Sequence, residues 1–356
     1  MAGKTLYTEE LRVMADSKMY AEIREQSEIL ERILNEGWAE VLSASRALRE
    51  DGLRSVMIAA RGTSDNAALY AKYLFEVLLG VPTALASPSA FTLYESRMNL
   101  EEVLVMGISQ SGESQDVLET VRRSRELGAT TLTVTNNEGS SMAEAAQHHL
   151  FLRAGKEESV AATKTYTAEL LVLYLLVSAL KGESQGDEVR RLPELSRAML
   201  EAEWEGTERY RYAEYMVMTS RGYNLATAEE AALKLMETTY VVAQAFSEAD
   251  LRHGPIAMIG RDFPVLGIAP FGKMQPGMRS LVEDLRDRGA ELLLVSDDED
   301  MLKKASATFP VPSSLPEELS PILYAIPIQL LAETLARLKG LNPDTPRGLS
   351  KVTETW

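Results

Sequence analysis

Residues 103–114 read Val-Leu-Val-Met-Gly-Ile-Ser-Gln-Ser-Gly-Glu-Ser. The first six carry no charge, and so short an unbroken apolar run suits a strand covered on both faces. Small polar residues follow around Gly112, and 114–127 turn amphipathic. A serine just ahead of a helical period is an N-terminal signal. The stretch therefore predicts strand, tight turn and helix, in that order.

The same unit recurs on either side. Strand patterns at 55–60 and 131–134 are each followed by a helical pattern, at 66–79 and 141–146. Strands alternating with helices predict a parallel, doubly wound α/β sheet. Ahead of it, Leu11, Met14, Met19, Ile23, Ile29, Leu30, Ile33 and Leu34 recur at mostly helical spacing, which predicts one or two amphipathic helices. A long helix over 165–181 ends in Gly-Glu-Ser-Gln-Gly-Asp at 182–187, read as a linker. After a helix near 192–203 the alternation restarts: strands at 215–219, 265–268 and 292–295, helices at 225–241, 278–288 and 322–339.

The restart is a repeat. Arg61-Gly62 aligns with Arg221-Gly222, Gly107-Ile108 with Gly267-Ile268, and Gly112 and Gln115 with Gly272 and Gln275, all about 160 positions apart. The expected organisation is an N-terminal helical segment over 1–36, a first α/β domain over 37–185, a second over 186–340 and a tail over 341–356. The copies differ at the turn: Ser109 to Ser114 in the first is replaced by Ala-Pro-Phe-Gly-Lys-Met at 269–274 in the second.

In an open parallel sheet, ligands bind where strands end and helices begin. Unpaired N–H groups and the helix dipole favour an anion there. Ser109, Ser111 and Ser114 add hydroxyls and Gly112 permits close approach, so this turn reads as a phosphate cradle without a fixed positive charge. A second turn, Arg61-Gly62-Thr63-Ser64-Asp65-Asn66, supplies more hydroxyls ahead of another helix. The serine turn does not carry the Gly-Lys-Ser/Thr of a nucleotide loop, and Gly62 has no partner glycines at the spacing of a dinucleotide site, so neither ATP nor NAD is expected.

Composition limits the rest. A net charge of −16 argues against nucleic-acid or anionic-membrane partners. With no cysteine there is no disulfide, thiolate metal site or cysteine nucleophile, and no metal or cofactor is expected. The N-terminus fits neither a secretory signal nor a transit peptide, and no apolar run reaches the ~20 residues of a membrane span, so a cytoplasmic protein is expected.

Glu230, Lys234 and Glu237 fall at i, i+4 and i+7, on one helix face. Ala231, Ala232, Leu233 and Leu235 around them point to burial, and buried charges need partners or a purpose. His253, before Gly254-Pro255, lies in a turn from which it can reach a ligand, whereas His148 and His149 are read as structural residues at a helix end.

At these residues the chain resembles the sugar isomerase (SIS) family, in particular the isomerase half of glucosamine-6-phosphate synthases and stand-alone SIS-type glucosamine-6-phosphate deaminases. The resemblance runs over 19–351 and rests on six ordered motifs. They are Arg-Gly-Thr-Ser at Arg61, Ser-Gln-Ser-Gly-Glu-Ser at Ser109, Val-Ala-Ala-Thr-Lys at Val160, Glu-Ala-Ala-Leu-Lys-Leu-Met-Glu at Glu230, Arg-His-Gly-Pro at Arg252 and Pro-Arg-Gly-Leu-Ser-Lys at Pro346. It implies two tandem flavodoxin-like SIS domains. Gly62, Thr63, Ser64, Ser109, Gln110, Ser111 and Ser114 would hold a sugar phosphate, with Val160 and Ala162 lining the site.

By the same resemblance Glu237 moves the proton between C1 and C2, Lys234 supports it, and His253, donated across a homodimer interface, opens the ring. Lys351 can form an imine with the open-chain ketose, while Glu157 and Glu230 stand behind the contact residues. Lacking a cysteine nucleophile and a preceding glutaminase domain, the chain is not expected to draw ammonia from glutamine. A glucosamine-6-phosphate deaminase is the leading expectation, a fructosamine-6-phosphate deglycase the enzymatic alternative, and a non-catalytic sugar-phosphate sensor the alternative of another class.

Overall fold

The computed structural model describes residues 17–312 and 315–351. Leu11 and Met14 of the expected N-terminal helices, and the last five residues of the tail, lie outside them.

Among the described residues, ten strands form two five-stranded sheets, parallel throughout. The first holds β1 (Ser55–Ala59), β2 (Thr83–Leu85), β3 (Val103–Ser109), β4 (Thr130–Thr135) and β5 (His148–Phe151), ordered β2-β1-β3-β4-β5. The second holds β6 (Tyr215–Ser220), β7 (Val242–Ser247), β8 (Pro264–Ala269), β9 (Glu291–Ser296) and β10 (Ala307–Pro310), ordered β7-β6-β8-β9-β10. The second order is the first shifted by one copy, so the sequence repeat is a structural one. Gln115 and Gln275 each open the helix after the central strand. At Gly107 an added Cβ would lie 2.8 Å from Met142 and Val121, and at Gly267 2.6 Å from the tip of Leu294, so side chains pack closely over the mid-strand glycine in both copies.

The helices that matter for the site are α1 (Lys18–Arg24), α2 (Gln26–Arg32), α3 (Trp38–Asp51), α4 (Thr63–Leu74), α5 (Gln115–Glu126), α6 (Lys164–Lys181), α7 (Leu192–Glu201), α8 (Leu225–Thr239), α9 (Glu248–Arg252), α10 (Gln275–Asp287) and α11 (Ser320–Leu338). Residues of α4, α6, α8 and α11 form one apolar core with the inner faces of both sheets. The outer face of the second sheet packs separately on α10. Gln26 ties this core together, donating to Gln329 Oε1 at 2.7 Å while its own Oε1 accepts from Thr167. The two halves are thus joined by shared burial as well as by chain. Among the described residues no helix is long and apolar enough to cross a membrane.

Some local readings change. The helical path does not stop at 36: after α2 a wide turn, Ile33–Gly37, runs straight into α3. His148 and His149 sit on β5 rather than at a helix end, and His149 Nε2 lies 2.9 Å from Thr135 Oγ1 across the sheet. The edge strands β2, β5, β7 and β10 carried no clear apolar run, because an edge position buries less of each side chain.

Candidate functional site

In the first sheet the chain leaves β1 toward β2 and leaves β3 toward β4, so a crevice opens between the carboxyl ends of β1 and β3. A cavity of about 330 Å3 occupies it. Gly62, Thr63 and Ser64 line one wall, Ser109, Gln110, Ser111 and Ser114 another. Val160 and Ala162 close a third side, and Glu237 and Lys351 complete it.

The serine turn is organised by its own hydroxyls. Gly112 N–H donates to Ser109 Oγ and Glu113 N–H to Ser111 Oγ, both at 3.2 Å, while Ser114 Oγ donates to Asp116 at 3.1 Å. Gly112 has φ +71°, and an added Cβ would lie 2.2 Å from Ser140 Oγ, so glycine is required for conformation and for space. The turn delivers the N-terminus of α5 to the cavity. The expectation of a site without fixed positive charge is corrected: Arg61 lines the cavity too, with its guanidinium 2.6 Å from the buried Asp116 carboxylate. Asp116 largely neutralises it, which leaves hydroxyls and backbone as the first donors.

On α8, Lys234 and Glu230 are fully buried. Lys234 Nζ lies 2.5 Å from Glu237 and 3.5 Å from Glu230. Glu230 also accepts from Asn66 Nδ2 at 2.8 Å and from Thr63 Oγ1 at 3.3 Å, so it steadies the turn after β1. Burial pushes the Glu230 carboxyl up, against the pull of Lys234 and Asn66. For Lys234 burial works downward, but the two carboxylates outweigh it and hold the ammonium above its ordinary value. Of this row only Glu237 reaches the cavity; Lys234 and Glu230 lie behind it.

Glu157 is a buried hub. One oxygen accepts from the N–H groups of Thr163 and Thr165 at 2.8 and 3.3 Å, at the start of α6, where the helix dipole favours an anion. The other accepts from Thr165 Oγ1 at 2.6 Å, Gln110 Nε2 at 2.8 Å and Lys351 Nζ at 3.3 Å. Lys351 also donates to the Ser159 carbonyl at 2.6 Å. The tail that brings it is pinned where Asp344 accepts from the N–H groups of Lys18 and Met19 at the start of α1.

His253 is the one predicted residue left apart. It follows α9, is exposed and does not line the cavity of its own chain. Sequence reading missed Thr165, Glu169, Leu349 and Ser350, which also line it. For Glu169 a signal existed: a lone acid among apolar residues with no Lys or Arg three or four positions away.

The corresponding crevice of the second copy is filled from within. An added Cβ at Gly272 would lie 2.5 Å from Glu317 Oε2 and one at Gly222 3.7 Å from Glu317 Oε1, and Lys273 N–H donates to that carboxylate at 2.7 Å. A side-chain anion sits between the two turns that, in the first copy, bound the open cavity.

Two stretches of the chain, 53–179 and 210–337, match the SIS domain family. Over 342 residues the chain is 37% identical to the glutamine–fructose-6-phosphate aminotransferase (isomerizing) of Methanothermobacter thermautotrophicus, covering 94% of this chain and 57% of that protein. The chain thus spans a little over half the length of the curated relatives it matches. Among solved structures, the C-terminal domain of glucosamine-fructose-6-phosphate aminotransferase from Francisella tularensis superposes with a TM-score of 0.81 at 26% identity, covering 93% of this chain and 98% of that one. A glucosamine-6-phosphate deaminase from Thermotoga maritima shares the fold, with a TM-score of 0.77 at 23% identity over 95% of this chain and all of that one. With two SIS domains in tandem, each an all-parallel five-stranded sheet, the chain belongs to the double-SIS family of sugar-phosphate isomerases.

Proposed function

We propose that the chain interconverts glucosamine 6-phosphate and water with fructose 6-phosphate and ammonia. One observation carries the reading: the serine turn and Glu237 face a single cavity of a size suited to one small ligand. The phosphate is held by Thr63, Ser64 and the turn Ser109–Ser114. Glu237 carries the proton between C2 and C1 of the opened sugar, a transfer that needs one positioned base. Lys234 fixes the Glu237 carboxylate and offers positive charge to the oxygen that becomes negative. Water then hydrolyses the C2 imine, either directly or after Lys351 has exchanged with it to free ammonia.

His253 opens the ring from a partner subunit, which accounts for its distance from its own cavity and makes the working unit a homodimer, placed in the cytoplasm. A second substrate is favoured by a second hollow of about 540 Å3, lined in part by Glu157, that shares Gln110, Ser111 and Lys351 with the first. It gives room for a larger amine, as in a fructosamine 6-phosphate.

The test is incubation of the purified protein with glucosamine 6-phosphate, with ammonia and fructose 6-phosphate assayed together. Equal release of both supports the proposal. Release from fructosamine 6-phosphates alone transfers it to the second substrate, and no product from either overturns it.

A further inference from the structure

Glu169 is a carboxylic acid that the chemistry above does not use. It lies on α6, is 1% exposed and contributes to the wall of the cavity. Ser64 Oγ donates to Glu169 Oε1 at 2.8 Å, and Glu169 Oε2 is buried with no hydrogen-bond partner. Leaving a buried carboxylate oxygen unpaired is costly, so such an atom calls for a proton or a ligand.

The charged groups that bear on Glu169 give it no relief. Glu230 faces it from α8 and Glu157 from the loop before α6; both are acids, and the remaining contact, Ser64 on α4, is neutral. On its own helix the neighbour is Tyr166. The two cations of the cavity wall are committed elsewhere, Arg61 to Asp116 and Lys351 to Glu157 and Ser159. Burial pushes the Glu169 carboxyl up to about 8, with the two acids adding to the push and Ser64 opposing it.

A serine hydroxyl has one hydrogen. While Ser64 gives it to Glu169, only lone pairs of Ser64 face the cavity, and these repel a phosphate dianion. With a proton on Glu169 the direction can reverse: the acid donates to Ser64 Oγ, and the serine hydrogen turns toward the ligand. We propose that Glu169 is a positioning residue that must carry a proton for Ser64 to bind the phosphate of the substrate, so that the site takes up one proton with the dianion. This rests on the sugar-phosphate reading of the cavity. The step moves no electrons: the proton comes from solvent and returns to it when the ligand leaves.

Glucitol 6-phosphate, which has the phosphate but no carbonyl to react, is the probe. Titration calorimetry at pH 8.5, in buffers of different protonation enthalpy, should show the native protein taking up most of one proton per ligand. At that pH the phosphate, with its second pKa near ~6, contributes none. The native Kd should rise by up to about tenfold from pH 7 to pH 9. In Glu169→Gln the amide donates to Ser64 at every pH, so proton uptake vanishes and Kd stays flat. Binding without proton uptake by the native protein, or an alkaline rise retained in Glu169→Gln, overturns the proposal and leaves the sugar-phosphate reading standing. No binding by the native protein at any pH overturns both.

Discussion

Gln110 and Lys351 share one acceptor: Glu157 Oε2 lies 2.8 Å from the amide nitrogen of the first and 3.3 Å from the ammonium of the second. The serine turn and the tail are thereby held by a single carboxylate, which also anchors the start of α6. Glu157→Gln places an amide among donors. Loss of charged hydrogen bonds in a buried site costs about 2–3 kcal/mol. The melting temperature should fall accordingly, and KM for the sugar phosphate should rise by about tenfold or more as Gln110 and Lys351 come loose. An unchanged KM would separate the hub from binding.

Glu237 and Lys234 should respond differently although they touch. Glu237→Gln keeps the shape of the cavity and should lower kcat by about 100- to 10,000-fold, with little change in binding of glucitol 6-phosphate. Lys234→Met strands the buried Glu230 carboxylate without its cation and should cost about 3–5 kcal/mol of stability as well as activity. Chemical denaturation and steady-state kinetics on the same preparations make the comparison.

The exposed His253 offers a test across subunits. If each site takes Glu237 from one chain and His253 from the other, His253→Ala and Glu237→Gln homodimers are both inactive. Dissociated, mixed in equal amounts and reassociated, they should recover about a quarter of native activity, since half the dimers are mixed and each holds one intact site. No recovery, with exchange verified, would return the histidine to its own chain.

Glu169 also makes a prediction about stability. Its folded value near 8 lies above the ordinary 4.5, so its contribution is fully present below about pH 4.5 and is lost as pH rises through about 8. Glu169→Gln removes that loss. The variant should therefore gain over the native protein between pH 5 and pH 8, on the order of 4 kcal/mol, with no further gain at higher pH. Paired melting curves across that range will show it; parallel curves would mean that Glu169 titrates in its ordinary range.

The serine turn, the repeat and the row Glu230, Lys234, Glu237 could be read from the chain because each is local, with glycine, hydroxyl and charge set within one turn or along one helix. What remained hidden depends on distant partners. The resemblance puts Glu157 behind the contact residues, but that it gathers donors from Gln110 to Lys351 appears only when the tail is folded back over the site. Arg61 gave no sign of being neutralised, since it lies in the turn after β1 while Asp116 is 55 positions away on α5. Glu169 could have been marked as odd by its apolar neighbours, but not paired with Ser64, which comes from a separate strand–helix unit.

Glu317 changes how the duplication is to be understood. Of two equivalent crevices, one stands open and the other holds a carboxylate of the polypeptide itself, so the pseudo-symmetry of the backbone does not extend to the pockets.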